Sequence, residues 1–289
     1  MSTSAQFKNR ILSGSPTLAP GAANALAARI IEDLDFEAIY VTGAGIANSF
    51  LGAPDIGLVT LSEVADHVSA IRDAVSIPLI VDADTGFGNA INVQRTMRIL
   101  ERAGANAIQI EDQIAPKKCG HFAGKGVVEL SEMVGKIHAA VDARADESTM
   151  VIARTDAAAV HGLEDAIERA MAYAEAGADV LFIEAPTNRD DLLRLPGLVA
   201  MPQVANMVEG GRTPLLTLDE LSEFSIVLYA NVALQAAIFG MTRVLSSLKN
   251  TGDLRASLDE LAPWAQRQAT VRKAKFDALE VRYAASARE

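Results

Sequence analysis

Short apolar stretches alternate with longer stretches of helical periodicity along most of the chain. Eight runs are rich in β-branched or other apolar residues, and continuous apolar runs are typical of strands buried on both faces of a parallel sheet. The pattern predicts strands at 17–21, 38–43, 79–84, 107–112, 150–156, 180–185, 202–207 and 225–230.

Amphipathic segments lie between these strands and predict helices at 24–34, 61–75, 90–104, 131–144 and 163–177. Several of them end in Ala-Gly, as expected where a glycine follows the last helical turn. Strands and helices alternating in this way predict an α/β fold of the (β/α)₈ TIM-barrel type, with a doubly wound open sheet as the alternative. No glycine-rich dinucleotide fingerprint follows the first strand, which weakens that alternative.

Two regions are predicted along the chain. Residues 1–250 form the barrel domain, and residues 251–289 form a polar, helical C-terminal extension without a strand.

The composition is that of a globular protein with a large core, because half of the 289 residues are hydrophobic and 22% are charged. A net charge of −11 argues against nucleic acid or an anionic membrane as a partner. The most apolar runs are short or contain polar residues, so no membrane-spanning helix is expected. A single cysteine excludes an intramolecular disulfide and, with no export signal at the N-terminus, predicts a cytoplasmic protein.

Polar residues follow the predicted strands at the point where each strand ends. In a barrel the carboxyl ends of the strands converge on one mouth, so side chains far apart in sequence become neighbours there. These strand-end residues are Asp82, Asp84, Glu111, Asp112, Arg154, Asp156, Glu184 and Asn206.

The acids of the third and fourth strands predict a metal site. Asp82 and Asp84 are two residues apart and therefore face the same way, and Glu111 comes from the adjacent strand. Carboxylates crowded in this way repel one another unless a cation lies between them. Hard oxygen ligands suit Mg²⁺, or Mn²⁺ as the alternative, with water completing the coordination. The competing interpretation is that these acids cap helices or pair with Arg and Lys.

The only cysteine, Cys119, lies in a polar loop with the sequence PKKCGHFAGKG. Lys117, Lys118 and His121 would lower the pKa of its thiol, and the glycines would let the loop move. Such a thiol can transfer a proton or attack an electrophile beneath a closing loop. An inert loop cysteine is the alternative, and we expect His121 to orient the loop or bind an anion rather than ligate a metal.

Arg154 is a candidate clamp for a substrate carboxylate, although a salt bridge to Glu111 or Glu184 is equally compatible with its position. The TGAG segment at 42–45 offers backbone N–H groups to an anion, and NMVEGGRTP at 206–214 is a second loop at the same mouth. A metal, a carboxylate clamp and a gated thiol together suit enolate chemistry on a small keto or hydroxy acid.

Three segments, DADTGFGNA, IEDQIAPKKCGH and NMVEGGRTP, resemble the isocitrate lyase / phosphoenolpyruvate mutase superfamily, from about residue 10 to about residue 250. KKCGH resembles the marker of its carbon–carbon lyase branch. The resemblance implies a (β/α)₈ barrel, a Mg²⁺ site and a homotetramer whose C-terminal helices are exchanged between subunits.

The resemblance also implies roles for individual positions. Asp82 corresponds to the direct metal ligand, while Asp84 and Glu111 correspond to acids that hold the metal through water. Cys119 corresponds to the proton donor, and Arg154 lies beside the loop that grips the pyruvate carboxylate. The other expected catalytic and substrate-binding residues are Glu184, His121, Tyr40, Thr42, Gly43, Ala44, Asp55, Lys117, Gly120, Asn206 and Thr213.

The reaction implied by this resemblance is cleavage of the C2–C3 bond of a substituted 2-hydroxy dicarboxylate to pyruvate and a second carboxylate. The substrate that the resemblance implies first is a compound like 2,3-dimethylmalate, and 2-methylisocitrate is the second candidate. In 2-methylisocitrate lyases the last strand is followed by a segment such as LYPLSAFRA, whereas this chain reads LYANVALQA, with Gln235 in place of the arginine. That departure disfavours a tricarboxylate, although Arg212 would rebalance the charge.

Other functions stay open on the sequence. A phosphonomutase or phosphonate hydrolase of the same superfamily would use Asp55 near the transferred phosphorus, and an oxaloacetate hydrolase or decarboxylase would use the same metal site. A barrel that only binds or scaffolds is the non-enzymatic alternative.

Overall fold

The strands of the fold lie where the sequence predicts them. The computed structural model describes residues 1–120, 122 and 124–284. Neighbouring strands pair in parallel throughout. They are Thr17–Ala22 (β1), Ile39–Val41 (β2), Leu79–Asp82 (β3), Ala107–Glu111 (β4), Met150–Thr155 (β5), Val180–Ile183 (β6), Val204–Asn206 (β7) and Ile226–Tyr229 (β8).

Helices connect the strands and include all those predicted from periodicity. They are Thr3–Leu12 (α1), Ala25–Asp33 (α2), Gly43–Ile46 (α3), Leu61–Ala74 (α4), Ala90–Ala103 (α5), Leu130–Ala143 (α6), Leu163–Glu175 (α7), Arg189–Leu198 (α8), Val232–Thr251 (α9), Trp264–Thr270 (α10) and Lys273–Tyr283 (α11). A π-helical turn, Ala47–Leu51, continues α3.

The ends of the helices follow the local sequence signals. Thr60 and Glu63 form a reciprocal capping box at the start of α4. At the other end of a helix, α5 stops at Gly104, whose φ of 109° is accessible to glycine without strain.

The strand order is β6-β5-β4-β3-β2-β1-β8-β7, and one further parallel bridge between Leu181 and Gln203 joins β6 to β7. This bridge closes the sheet into a ring. The predicted (β/α)₈ barrel is therefore confirmed over the open doubly wound sheet.

Side chains that point into the barrel change from apolar to polar along several strands. On β5, for example, Met150 and Ile152 belong to the apolar interior, and Arg154 follows them at the carboxyl end. Phe7 and Ile11 of α1 pack into the same interior cluster and fill its amino end. The alternation of strand residues thus gives such a strand a packed lower part and a polar upper end.

The segment after α9 contains helices α10 and α11 and, within the part described to residue 284, no strand. Arg272 pairs with Asp33 and ties this segment to the end of α2. The division into domains at residue 250 stays a prediction. Within the described residues no helix combines the length and apolarity needed to cross a membrane.

Gly21 of β1 packs closely against the backbone at the end of β8. A methyl group there would lie 1.7 Å from the carbonyl oxygen of Ala230, a backbone atom that cannot turn away. We expect Gly21→Ala to lower the free energy of unfolding by about 3 kcal/mol or more, or to prevent folding. Gly135→Ala on α6, where nothing lies within 4 Å, should instead raise it by about 0.5–1 kcal/mol. Urea unfolding of both variants measures the difference, and equal effects would contradict this interpretation.

Candidate active site

The carboxyl ends of the strands enclose a cavity at one mouth of the barrel. The cavity that remains between the side chains is about 60 Å³, room for about four water molecules. Most of the residues predicted from the sequence line it, namely Tyr40, Thr42, Ala44, Asp55, Asp82, Glu111, Lys117, Cys119, Gly120, Arg154, Glu184 and Asn206.

Gly43, Asp84 and Thr213 are predicted site residues that do not line this cavity. Gly43 lies against the acids, since a methyl group there would be 3.1 Å from Asp82 Oδ2 and 3.3 Å from Asp84 Oδ1. Thr213 is buried but is not part of the described cavity wall, and its hydroxyl has no hydrogen-bond partner among the described residues. His121 lies outside the described residues, so its role stays a prediction.

Asp82 and Asp84 lie on the same side, as predicted, but strand alternation is not the reason. Strand β3 ends at Asp82, and Asp84 follows in a left-handed turn with a φ of 48°. The amide of Asp84 donates a hydrogen bond to Asp82 Oδ1 at 3.1 Å, which holds the turn. Aspartate tolerates this backbone conformation better than most residues, so the pair is completed by a residue two positions after the end of the strand.

The ammonium group of Lys117 lies among the acids. Its Nζ is 2.5 Å from Asp55 Oδ1 and 2.7 Å from Asp84 Oδ1, although the contact with Asp84 lacks hydrogen-bond geometry. Burial opposes the charge on Lys117, but the carboxylates around it, Asp84 foremost, outweigh burial and raise its pKa above the ordinary lysine value. In this conformation Lys117 therefore neutralises part of the acid cluster.

The remaining negative charge of the cluster is poorly balanced. Burial, reinforced by Asp82 and opposed by Lys117, raises the pKa of Asp84 to about 7. Burial also raises the pKa of Glu111 well above its ordinary value, despite the nearby Arg154. Glu111 Oε1 is buried and has no hydrogen-bond partner among the described residues. Lys117 and Arg154 therefore offset only part of the cost of burying these carboxylates.

The predicted metal ligands reach the same mouth but do not form a ready metal cage. Among residues 1–120, 122 and 124–284, no group of three or more acidic, histidine or cysteine side chains is arranged to hold a metal ion. The ammonium of Lys117 pairs with Asp84, one of the predicted ligands. The oxygen donors, the unpartnered Glu111 Oε1 and the raised pKa values nevertheless fit a hard divalent cation chemically.

Arg154 lines the cavity beside Glu111, its neighbour on the adjacent strand. Its Nε is 3.4 Å from Glu111 Oε2 and 3.0 Å from Asp156 Oδ2, and its Nη1 is 3.3 Å from Glu184 Oε2. Burial disfavours its charge, but these acids, Asp156 first, more than compensate and raise its pKa. The salt bridges that the sequence left open are present, and they hold the guanidinium at the cavity.

A hydrogen-bond chain that the sequence did not predict supports the acids from below. Tyr40 donates from its hydroxyl to Gln109 Oε1 at 2.7 Å, and Gln109 Nε2 donates to Asp82 Oδ1 at 3.3 Å. Burial and the charge of Asp82 raise the pKa of Tyr40 well above its usual value, so it stays a donor. Gln109 points inward from β4, two residues before Glu111, and this alternation was the available signal.

The described residues of the loop after β4, namely 115–120, 122 and 124–126, are here called the Cys119 loop, and four of them, Lys117, Lys118, Cys119 and Gly120, line the cavity. Cys119 is half-buried, and its amide donates to the carbonyl of Asp55 at 3.1 Å. A methyl group on Gly120 would lie 2.3 Å from Arg154 Nη2 and 2.8 Å from Glu184 Cγ. The backbone beside the thiol therefore packs directly on the two site residues, which only glycine permits.

Two backbone amides of the predicted anion-binding loop, residues 42–45, already donate hydrogen bonds within the protein. The amide of Gly43 donates to Asp82 Oδ2 at 3.3 Å, and the amide of Gly45 donates to Thr42 Oγ1 at 3.1 Å. Thr42 Oγ1 also donates to Asn231 Oδ1 at 3.2 Å, so the loop is fixed to the segment after β8. Asn231 also lines the cavity, although the sequence pattern had assigned no role to it.

The raised pKa of Asp84 gives a pH prediction. A carboxyl with a pKa of about 7 in the folded protein and 3.8 as a free model group binds its proton more tightly when folded, so stability falls as pH rises between these values. With chelator present, we expect the free energy of unfolding to fall by about 2 kcal/mol between pH 5.5 and pH 7 through this group. Urea unfolding of Asp84→Asn should show a flatter pH dependence. Equal slopes in both proteins would contradict the assignment.

The sequence is similar to a known family and to named enzymes. The family model described as phosphoenolpyruvate phosphomutase matches residues 7–249. The chain is 42% identical to 2,3-dimethylmalate lyase of Eubacterium barkeri over 286 residues, 98% of this chain and 99% of that protein. It is 48% identical to 2-methylisocitrate lyase of Aeropyrum pernix over 246 residues, covering 84% of this chain and 79% of the relative.

A crystal structure of 2,3-dimethylmalate lyase superposes with a TM-score of 0.92 at 33% identity, covering 99% of this chain and 97% of that chain. The matches in sequence and structure extend over the barrel and its carboxyl mouth, and they confirm the resemblance seen in the three sequence motifs. This chain is a member of the phosphoenolpyruvate phosphomutase family.

Proposed function

We propose that this protein is a carbon–carbon lyase that cleaves the C2–C3 bond of a substituted 2-hydroxy dicarboxylate to pyruvate and a second carboxylate, with Mg²⁺ as cofactor and Mn²⁺ as a substitute. The observation that carries the proposal is the position of Cys119. Its half-buried thiol lines the same small cavity as Arg154 and the acid cluster. Relatives named as 2,3-dimethylmalate lyase and 2-methylisocitrate lyase support the same reaction class.

In this proposal Asp82, Asp84 and Glu111 would hold the cation. Bound there, Mg²⁺ supplies the positive charge that stabilises oxygen anions of the substrate. The unbalanced charge of these buried acids supports the assignment. In the described conformation Lys117 pairs with Asp84, so we expect its ammonium to move away when a cation binds.

Arg154 and the loop at Thr42–Ala44 bind the substrate carboxylate in this proposal. Arg154 is held by Asp156 and Glu184, which fixes the direction of its guanidinium before substrate arrives. Because only about 60 Å³ is free, a dicarboxylate enters when the Cys119 loop opens and Lys117 withdraws.

Bond cleavage moves one proton from oxygen to a carboxylate base and a second proton from sulfur to carbon. The 2-hydroxyl proton passes to the acid cluster as the C2–C3 electron pair moves to C3 and the C2 carbonyl forms. The Cys119 thiol then donates its proton to C3. After release the thiolate takes up one proton from solvent and the carboxylate base returns its proton to solvent, so both groups are restored. A closed cavity with little water makes the thiol, rather than solvent, the proton donor to C3.

A dicarboxylate substrate fits better than a tricarboxylate. Gln235 stands where the resemblance would place a carboxylate-binding arginine, and its Nε2 donates to Glu209 Oε2 at 3.2 Å. A third carboxylate near this pair would meet an acid rather than a base. We therefore place a 2,3-dimethylmalate-like substrate first and 2-methylisocitrate second.

We further propose a homotetramer that exchanges its C-terminal helices, in the cytoplasm. Only Val244 of the 20 residues of α9 is buried in the single chain. The same helix exposes Ile238, Phe239, Met241 and Leu245, each by half or more of its surface. Large apolar side chains clustered on one helix are typical of a subunit interface.

The reaction is tested by pyruvate release from 2,3-dimethylmalate, 2-methylisocitrate, isocitrate and oxaloacetate in the presence of Mg²⁺. We expect one hydroxy acid to be cleaved and Cys119→Ser to lower kcat by about 100-fold or more, since a hydroxyl is a far weaker proton donor than a thiol. A chelator should abolish turnover and added Mg²⁺ should restore it.

Phosphonopyruvate assayed by ³¹P detection serves as the competing substrate. Asp55 lines the cavity beside Lys117, as the phosphoryl-transfer alternative requires. Turnover of the phosphonate that survives Cys119→Ser and disappears in Asp55→Asn, with no hydroxy acid cleaved, would replace the lyase proposal.

The assembly is tested by size-exclusion chromatography with light scattering. We expect the wild-type chain to elute as a tetramer and Phe239→Glu to elute as a smaller species, because a buried charge without a partner opposes association. Met171→Glu, which changes a residue of α7 that is also half exposed, should leave the tetramer intact. A monomeric wild-type protein would refute the proposal.

A further inference from the structure

Lys125, near the end of the Cys119 loop, turns its side chain into the barrel. The side chain is only 2% exposed, and its Nζ lies 2.5 Å from Asp156 Oδ1. The same Nζ donates to the carbonyl of Gly120, the residue after the cysteine. Lys118 of the same loop behaves differently, since its ammonium donates to the Gly124 carbonyl in an exposed position.

Asp156 binds two cations with one carboxylate. Besides Lys125, it accepts hydrogen bonds from Arg154 Nη2 at 3.1 Å and Arg154 Nε at 3.0 Å. Its own amide donates to Asp112 Oδ1 at 2.9 Å, which fixes it at the end of β5. The loop and the substrate-binding arginine are therefore joined through a single fully buried acid.

The contact with Gly120 carries this link to the thiol. Gly120 packs on Arg154 and Glu184 so closely that a side chain is excluded, and Cys119 precedes it. Lys125 donates to the Gly120 carbonyl, and Arg154 Nη2 occupies the place where a Gly120 side chain would be. The position of Cys119 relative to the cavity thus depends on a lysine that is not itself part of the described cavity wall.

We propose that Lys125 is a positioning residue that holds the Cys119 loop closed over the site through its ion pair with Asp156. The inference rests on the proposed function, in which this loop brings the proton donor to the substrate. The pair can also open without leaving a buried charge alone. When the loop leaves, Lys125 becomes hydrated and Asp156 keeps Arg154, so the main cost of separating a buried ion pair is avoided.

The single cysteine of the chain allows loop closure to be measured without any substrate. The rate of alkylation of native protein by iodoacetamide reports how often the Cys119 loop is open. We expect Lys125→Met to raise this rate by about tenfold or more, because a buried ion pair that held the closed state is lost. Lys125→Arg, which keeps the charge, should restore most of the protection.

Lys118→Met is the matched control, since it removes one positive charge from the same loop without touching Asp156. Loss of a cation beside a thiol raises the pKa of the thiol and slows alkylation. Faster alkylation in Lys125→Met together with an unchanged or slower rate in Lys118→Met therefore identifies loop opening. Urea unfolding of each variant confirms that the alkylation is measured on folded protein.

Turnover separates this inference from the proposed function. With the cleaved hydroxy acid, Lys125→Met should lower kcat by about tenfold or more, and Lys125→Arg should recover it. Equal alkylation rates in wild type and a folded Lys125→Met would overturn the role of Lys125, whatever the enzyme cleaves. Faster alkylation in Lys125→Met, with no hydroxy acid cleaved by wild type, would instead leave the loop contact standing and refute the lyase.

Discussion

Buried negative charge at the mouth of the barrel is the constraint on which the site depends. The described acids there are Asp55, Asp82, Asp84, Glu111, Asp156 and Glu184, and the buried cations that face them are Lys117, Lys125 and Arg154. Removing so many carboxylates from water is costly unless positive charge accompanies them. Lys117 and Lys125 supply part of that positive charge, so in the proposed closed state electrostatic balance and loop closure depend on the same contacts.

The barrel supplies the rigidity that such a charge cluster needs. On several strands the inward-facing positions are apolar in the lower part and polar at the carboxyl end, as along Val180, Phe182 and Glu184. Neighbouring strands then place partners side by side, and Glu111 is registered directly beside Arg154. The packing of the lower layers thus fixes the separation of charged groups above them.

Much of this arrangement could be predicted from the sequence, because buried parallel strands give continuous apolar runs that end in polar residues. The eight strands and most of the cavity wall follow from that pattern. The direction of loop side chains follows no period, so Lys125 could not be distinguished from Lys117 and Lys118 in PKKCGHFAGKG. The turn at Asp84 was missed for a related reason, since its left-handed backbone is a local choice of one residue. Thr213 has a matching position in the motif, but its side chain lies outside the cavity wall.

Helix α1 determines from which end of the barrel molecules can reach the site. Phe7 and Ile11 fill the amino end of the barrel, so the polar chamber above them communicates with solvent at the loop side. Under the proposed function, substrate, water and product share this one route, which opens when the Cys119 loop opens. Product release and hydration of the acids would then be one kinetic event, in which the proposed proton donor moves away before the product leaves.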